Sequence, residues 1–512
     1  MRRPARALAT LALAGAWLTL PACKGGKKEG REDPYSLSEL EAEGPPHTPD
    51  CKSWAELELG SLPPLPEGPH VATFDAVWRT VAQKHFDPTL SCLDWPALRE
   101  QYAKRVAEAG EDTQAAYAAI NELLGLLGQS HLMATPPSGN AKTHARERGP
   151  AVVPVAVRWI PLAPGSSERG AVIVDAAVGG HPSGVPTGAI LSAVAGESIA
   201  ELAAETIASL EDPSQNEVAF AVRRAIDATL SCPAEGSKAL SVLDPAADDQ
   251  IREITVPCFM PEGERISLGN LRNLPTTVDW RMLDGNADGD ADGDIGYLAF
   301  NYWMLPMVER VRAGVTQLRG QGMRGMIIDL RGNPGGVGAM SIPIARIFVD
   351  KPASLGRLQM REFNQEFKVD ANPDAFTGPV AILVDEGTAS TSEIFAMGMR
   401  DIGRVTIVGA GPSAGMALPS LIETLPDGGL LQYVVGDYHS TKGAAAEGEG
   451  VIPGHAVDES RADYVAGRDP VLDSAAALLR EQLGATPEPV PDTEPAPDTE
   501  PAPAQPSPEP SP

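Results

Sequence analysis

The chain is short of positive charge: 41 Lys and Arg stand against 69 Asp and Glu, a formal net charge of −28. A phosphate backbone is repelled by such a surface, so nucleic acid is excluded as a partner. Much of the acidity sits in linkers and the C-terminal tail, where it reports solubility. Histidine and cysteine are scarce, at eight and five residues. No Cys-x-x-Cys or His-rich spacing occurs, so no metal site is expected, and nothing in the sequence calls for a cofactor. The apolar run from Ala7 to Leu20 is too short to span a bilayer.

That run follows a basic start, Met1-Arg2-Arg3, and leads into Leu20-Pro21-Ala22-Cys23. The arrangement reads as an export signal over residues 1–22 and resembles a bacterial lipobox, with Cys23 as the lipidated first mature residue. A plain secretory signal is the alternative. Lys24 follows the cysteine, which favours the outer-membrane or periplasmic side of the cell envelope and a membrane contact through the lipid. Four cysteines remain in the mature chain: Cys51, Cys92, Cys232 and Cys258. In an oxidising compartment they imply two bridges; three connectivities are open, and Cys51–Cys92 with Cys232–Cys258 is the local choice.

At 512 residues the chain has room for several domains. Residues 23–66 read as a tether. Residues 67–149 carry helical spacing, including Phe74, Val77, Trp78 and Val81. Residues 150–260 look like strands broken by glycine and proline. Residues 261–483 alternate apolar strand-like runs at 295–300, 325–330, 379–384 and 405–408 with helical stretches at 304–320, 338–349 and 392–401. Such alternation predicts an α/β core with a mostly parallel sheet. Residues 484–512 are Pro, Glu, Thr and Ala, cannot bury a core, and are expected to be disordered. Asp284 to Asp294 alternates carboxylates like half a calcium loop, but Ile295 stands where the bidentate glutamate belongs, and an acidic surface loop is the better reading.

Two motifs carry the chemistry. Thr388-Ala389-Ser390-Thr391-Ser392-Glu393 lies between an apolar run and an amphipathic segment. A serine at such a strand-to-helix turn is ordinarily an N-cap, but it can also be a nucleophile facing the first helical N–H groups. Upstream, Asp329-Leu330-Arg331-Gly332-Asn333-Pro334-Gly335-Gly336 runs from a buried-strand pattern into a glycine turn whose bare N–H groups could hold an oxyanion. Together these motifs strongly resemble the tail-specific (C-terminal processing) and tricorn-core serine peptidases, over roughly residues 70–475.

The resemblance implies Ser390 as nucleophile. Tail-specific members use a lysine about 25 residues further on; here Val408 to Met416 fills that place, and no lysine lies between Ser390 and Lys442. Tricorn-like members instead take a histidine that follows a serine, which Ser130-His131 matches, and a late glutamate, which Glu447 in Glu447-Gly448-Glu449-Gly450-Val451 matches. The resemblance therefore implies His131 as base, with Ser130 and Glu447 orienting the imidazole or positioning the water and the incoming substrate; the backbone N–H groups of Gly335, Gly336 and Thr391 are the candidates for the oxyanion hole. Arg331 and Asn333 would hold the turn. It also implies a helical N-terminal cap, a PDZ-like domain over 150–260, for which Val185 to Glu197 supplies the strands and turns, and a core of the ClpP/crotonase kind. The expected function is an exported serine endopeptidase acting on peptides or unfolded chains. The alternatives are an inactive peptide- or ligand-binding relative, and a cell-surface interaction module whose PDZ-like region does the work.

Overall fold

The computed structural model describes residues 45–48, 50–137, 150–210, 213–268, 271–283 and 293–484. The export signal, Cys23, most of the 284–294 loop and the Pro-rich tail lie outside the described residues.

Three helices begin the fold. α1 (Val71–Lys84) buries Phe74, Val77, Trp78 and Val81 along one stripe. α2 (Trp95–Glu108) starts at Asp94, whose side chain accepts from Ala97 N–H, with Pro96 in the first turn. α3 (Thr113–Gly125) is capped by Asp112, which takes the N–H groups of Gln114 and Ala115. Trp78 and Trp95 donate their indole N–H groups to each other's carbonyls at 2.9 and 3.1 Å, so the two largest buried rings are also satisfied. Residues 45–66 were expected to be a tether, but their described part packs onto this unit. Trp54 is buried and donates to Leu93 O, and Cys51 is bonded to Cys92. Apolar Leu57, Leu59, Leu62 and Leu65, spaced among prolines, rest on the helices and explain the difference.

The second unit is an antiparallel sheet in the order Ala156–Pro161, Arg169–Asp175, Ile190–Val194, Ser237–Asp244, Gln250–Pro257. Two helices cover it: α4 (Ile199–Ala208) and α5 (Gln215–Thr229), the latter opened by a Ser214/Glu217 capping box. The sequence reading named the strands here and missed both helices. The second bridge joins Cys232 to Cys258.

The third unit is built on a six-stranded sheet: Val278–Met282, Ile295–Phe300, Gly325–Asp329, Val380–Leu383, Thr406–Gly409 and His455–Ala456. Every neighbouring pair is parallel except the first, an antiparallel edge strand upstream of the acidic loop that the sequence reading did not include. Alternate residues face opposite sides. Leu298, Phe300, Ile328 and Ile382 pack with α6 (Leu305–Gly320) and α7 (Thr391–Asp401). Tyr297, Ala299, Ile327 and Leu383 meet α8 (Pro470–Gly484) on the other face. Burial on both faces is why these strands read as unbroken apolar runs. The helix expected at 338–349 is only a 3-10 turn (Gly338–Met340) and Ser341–Ala345. The chain then tightens, with Ile347 N–H on Ile344 O and Phe348 N–H on Ala345 O, and both side chains turn into the core.

A small antiparallel sheet joins the first unit to the third. Met133–Thr135 pairs with Leu430–Val434, which pairs with Ser420–Thr424. Buried Ala134, Leu431 and Tyr433 lie in the core of the helical unit.

Candidate active site

Ser390 stands at the mouth of α7, where the strand Val380–Leu383 has ended, and its backbone is at φ 57°, ψ −122°. A non-glycine residue adopts such a conformation only when its surroundings impose it. Ser390 N–H meets two acceptors, Met416 O at 2.8 Å and Glu393 Oε2 at 2.9 Å, and Ser390 O takes Glu393 N–H at 2.8 Å. Ser390 and Glu393 stand in a capping-box arrangement, but Glu393 N–H is bonded to Ser390 O and makes no well-formed bond to the hydroxyl. Ser390 also opens on a cavity.

The glycine turn is pressed against it. A Cβ on Gly335 would lie 2.6 Å from Ser390 Cβ, and Gly335 has φ 97°, so only glycine fits. Asp385 Oδ1 accepts from both Gly332 N–H and Gly387 N–H, tying this turn to the one that carries Ser390. Arg331 is buried between Asp329 and Asp469. The Asn333 side chain donates its amide N–H to Phe300 O, and its Oδ1 accepts Gly335 N–H at 3.0 Å. Of the three N–H groups expected to form an oxyanion hole, that of Gly335 is therefore taken up inside the turn. Among the described residues, no acceptor takes those of Gly336 and Thr391.

Some 260 residues upstream in sequence, His131 opens on the same cavity. It arrives there because α3 ends in a left-handed Gly128, His131 itself takes φ 57°, and Met133 enters the strand that pairs with Gln432. Ser130 Oγ lies 2.8 Å from His131 Nδ1 and 2.9 Å from Glu447 Oε2, and Ser130 N–H donates to Glu447 Oε1 at 2.8 Å. A hydroxyl has one proton and a carboxylate only accepts, so Ser130 gives its proton to Glu447 and must accept from His131 Nδ1–H. That fixes the tautomer: Nε2 carries the lone pair. Burial pushes the imidazole down to about 4, so it is neutral at ordinary pH. Burial likewise raises the Glu447 carboxyl, against the hydrogen bonds from Ser130 and Ala417. Glu449, two residues on, is exposed and takes no part. His131 and Ser390 share the cavity, but no hydrogen bond joins them in this structure.

Sequence reasoning passed over Glu393, although it ends the Ser-Thr-Ser-Glu motif. It is fully buried directly behind the nucleophile. Its carboxylate accepts from Ser413 Oγ, Gly415 N–H, Met416 N–H and Ser390 N–H, and burial lifts it to about 7 against those bonds. The spacing of a capping box, serine then glutamate three residues on, was the available signal. The segment standing where a lysine base would be expected is thus used as backbone: it closes on Ser390 through Met416 and on Glu447 through Ala417 N–H at 2.9 Å.

The chain is similar to known proteins in sequence and in fold. Residues 294–457 match Peptidase family S41, and residues 72–120 match the Tricorn protease C1 domain. The chain is 26% identical over 390 residues to a carboxyl-terminal-processing protease of Synechocystis, covering 75% of this chain and 79% of that one. Among solved structures, the photosystem II D1 C-terminal processing protease superposes with TM-score 0.51 at 21% identity, over 81% of this chain and 98% of that chain. Mature CPAF does so with TM-score 0.55 at 15% identity, over 81% and 98%. Residues 294–457 are thus a Peptidase family S41 region, the chain is similar to the carboxyl-terminal-processing proteases, and it is a serine-type peptidase.

Proposed function

We propose that this is an exported endopeptidase that cleaves peptides or unfolded chains near their carboxyl ends through an acyl-enzyme on Ser390, with His131 as general base. The observation that carries the reading is the unbroken line Glu447–Ser130–His131, with Nε2 left basic and His131 opening on the cavity that Ser390 also lines. A small closure brings Nε2 onto Ser390 Oγ and takes its proton as the oxygen attacks the scissile carbonyl. The oxyanion forms against the N–H groups of Gly336 and Thr391. The imidazolium is stabilised by Glu447 through Ser130, then gives its proton to the departing amine as the C–N bond breaks. Water repeats the sequence on the ester. The names of the relatives support carboxyl-terminal processing. Two disulfides support an oxidising compartment, and Cys23 supplies the lipid anchor at the cell envelope.

The test is fluorophosphonate labelling of the mature protein beside Ser390→Ala and His131→Ala. Labelling abolished by the first and greatly weakened by the second is expected. Labelling indifferent to His131→Ala overturns the base, and none on the folded wild type overturns the catalytic reading.

A further inference from the structure

The cavity around Ser390 is lined mainly by apolar side chains, among them Phe220, Leu274, Val337 and Met416. One lining residue carries a permanent charge: Arg224 on α5. Its neighbour Arg223 is committed, donating to Asp385 Oδ2 at 2.5 Å and Glu386 Oε1 at 3.0 Å. Arg224 makes no hydrogen bond or ion pair with any described residue, and its Nε is sealed from water with no acceptor. Asp227 and Tyr302 are close enough to be felt electrostatically, but Asp227 lies beyond ion-pair distance. Nε has lost hydration without compensation, while the side chain as a whole is half-buried at the cavity wall.

Its placement is rigid. Asn216, two turns earlier on α5, donates to the carbonyls of Ala414 and Gly448, and Phe220 packs on Ala389 beside the nucleophile. The helix is therefore fixed to both segments that flank the reacting serine. A fixed, half-buried fork with no carboxylate partner among the described residues, next to Ser390, matches the planar, bidentate shape of a carboxylate.

We propose that Arg224 is the substrate-carboxylate anchor of this cavity, holding either the α-carboxylate of a chain end or a Glu or Asp side chain close to the scissile bond. The proposal rests on the cavity being the substrate site, as in the function proposed above. Its test is therefore binding, measured apart from turnover. Three fluorescein-labelled decapeptides of one apolar sequence are titrated by anisotropy into the full mature chain carrying Ser390→Ala. One ends in a free acid, one in a carboxamide, and one in a carboxamide with a glutamate near that end. The same titrations are made with Arg224→Met, which keeps the length of the side chain in an apolar wall, and with Arg224→Lys.

The expected result is binding at least tenfold tighter for a carboxylate-bearing peptide than for the plain carboxamide. Arg224→Met abolishes that ratio, and Arg224→Lys keeps part of it. Preference for the free acid identifies the chain end, and preference for the glutamate peptide identifies a side chain. Equal binding of all three, or a ratio that survives Arg224→Met in a protein that still melts cooperatively, overturns the proposal. If Ser390 proves unreactive in the wild type, the catalytic reading falls while a carboxylate-dependent ratio would still establish the anchor. If Ser390 reacts and the ratio is absent, the anchor alone falls.

Discussion

Replacing Ser130 by alanine isolates the link between carboxylate and base. The main-chain N–H at position 130 still reaches Glu447 Oε1, and Ala417 N–H still reaches Oε2, so the glutamate keeps two of its three partners and the fold is retained. What disappears is the acceptor for His131 Nδ1–H and the path by which Glu447 feels the imidazolium. A hydrogen bond to a charged group is worth about 1.5–3 kcal/mol. Because the charge exists only as the reaction proceeds, that loss falls on the barrier. At roughly 1.4 kcal/mol per factor of ten it slows acylation about 10- to 100-fold. The assay is the second-order rate of fluorophosphonate inactivation at neutral pH, which needs no knowledge of the substrate. Glu447→Gln should slow it comparably, and the double variant should be little worse than either single one, since the two groups act in series. A Ser130→Ala protein that reacts within twofold of wild type would refute the relay.

Because burial holds His131 at about 4, the acid limb of the inactivation rate should fall well below the ordinary histidine value of 6.5. The base is active when neutral, so reactivity is kept as pH drops through 6.5 and lost near 4; a limb at 6.5 contradicts the burial argument. Gly335→Ala forces a methyl to 2.6 Å from Ser390 Cβ at φ 97°, so labelling should drop by at least tenfold while the circular dichroism stays native. Arg158→Ala strands Glu386 and Glu459, both buried and held at 2.7 and 2.5 Å, and should lower urea stability by about 3–5 kcal/mol. A loss under about 1 kcal/mol would mean the pair is compensated by Arg223 and Tyr464.

What could be read in the sequence was local. The runs at 295–300 and 379–384 were visible because a strand buried on both faces has no polar interruptions, and α6 and α7 because their stripes recur at helical spacing. The meeting of Ser130 with Glu447 was legible only through resemblance, since it depends on Met133–Thr135 finding a partner about 300 residues away, and no local pattern encodes a register. The missed helices α4 and α5 are rich in alanine, which weakens the contrast between their faces. Glu393, Arg158 and Arg224 were overlooked for one reason. A charged residue in a sequence reads as surface, and only the fold reveals that it is enclosed.

The strand that carries the base across from the helical unit has a further consequence. In the proposed mechanism the nucleophile Ser390 and its base His131 sit in different units of the fold, and the ribosome releases His131 first. A nascent chain therefore holds an idle histidine until residues 420–434 emerge and capture it. A chain stripped of its first 137 residues keeps Ser390 but loses the proposed base. On that mechanism reactivity requires both units, so a chain still unfinished would not cleave its neighbours.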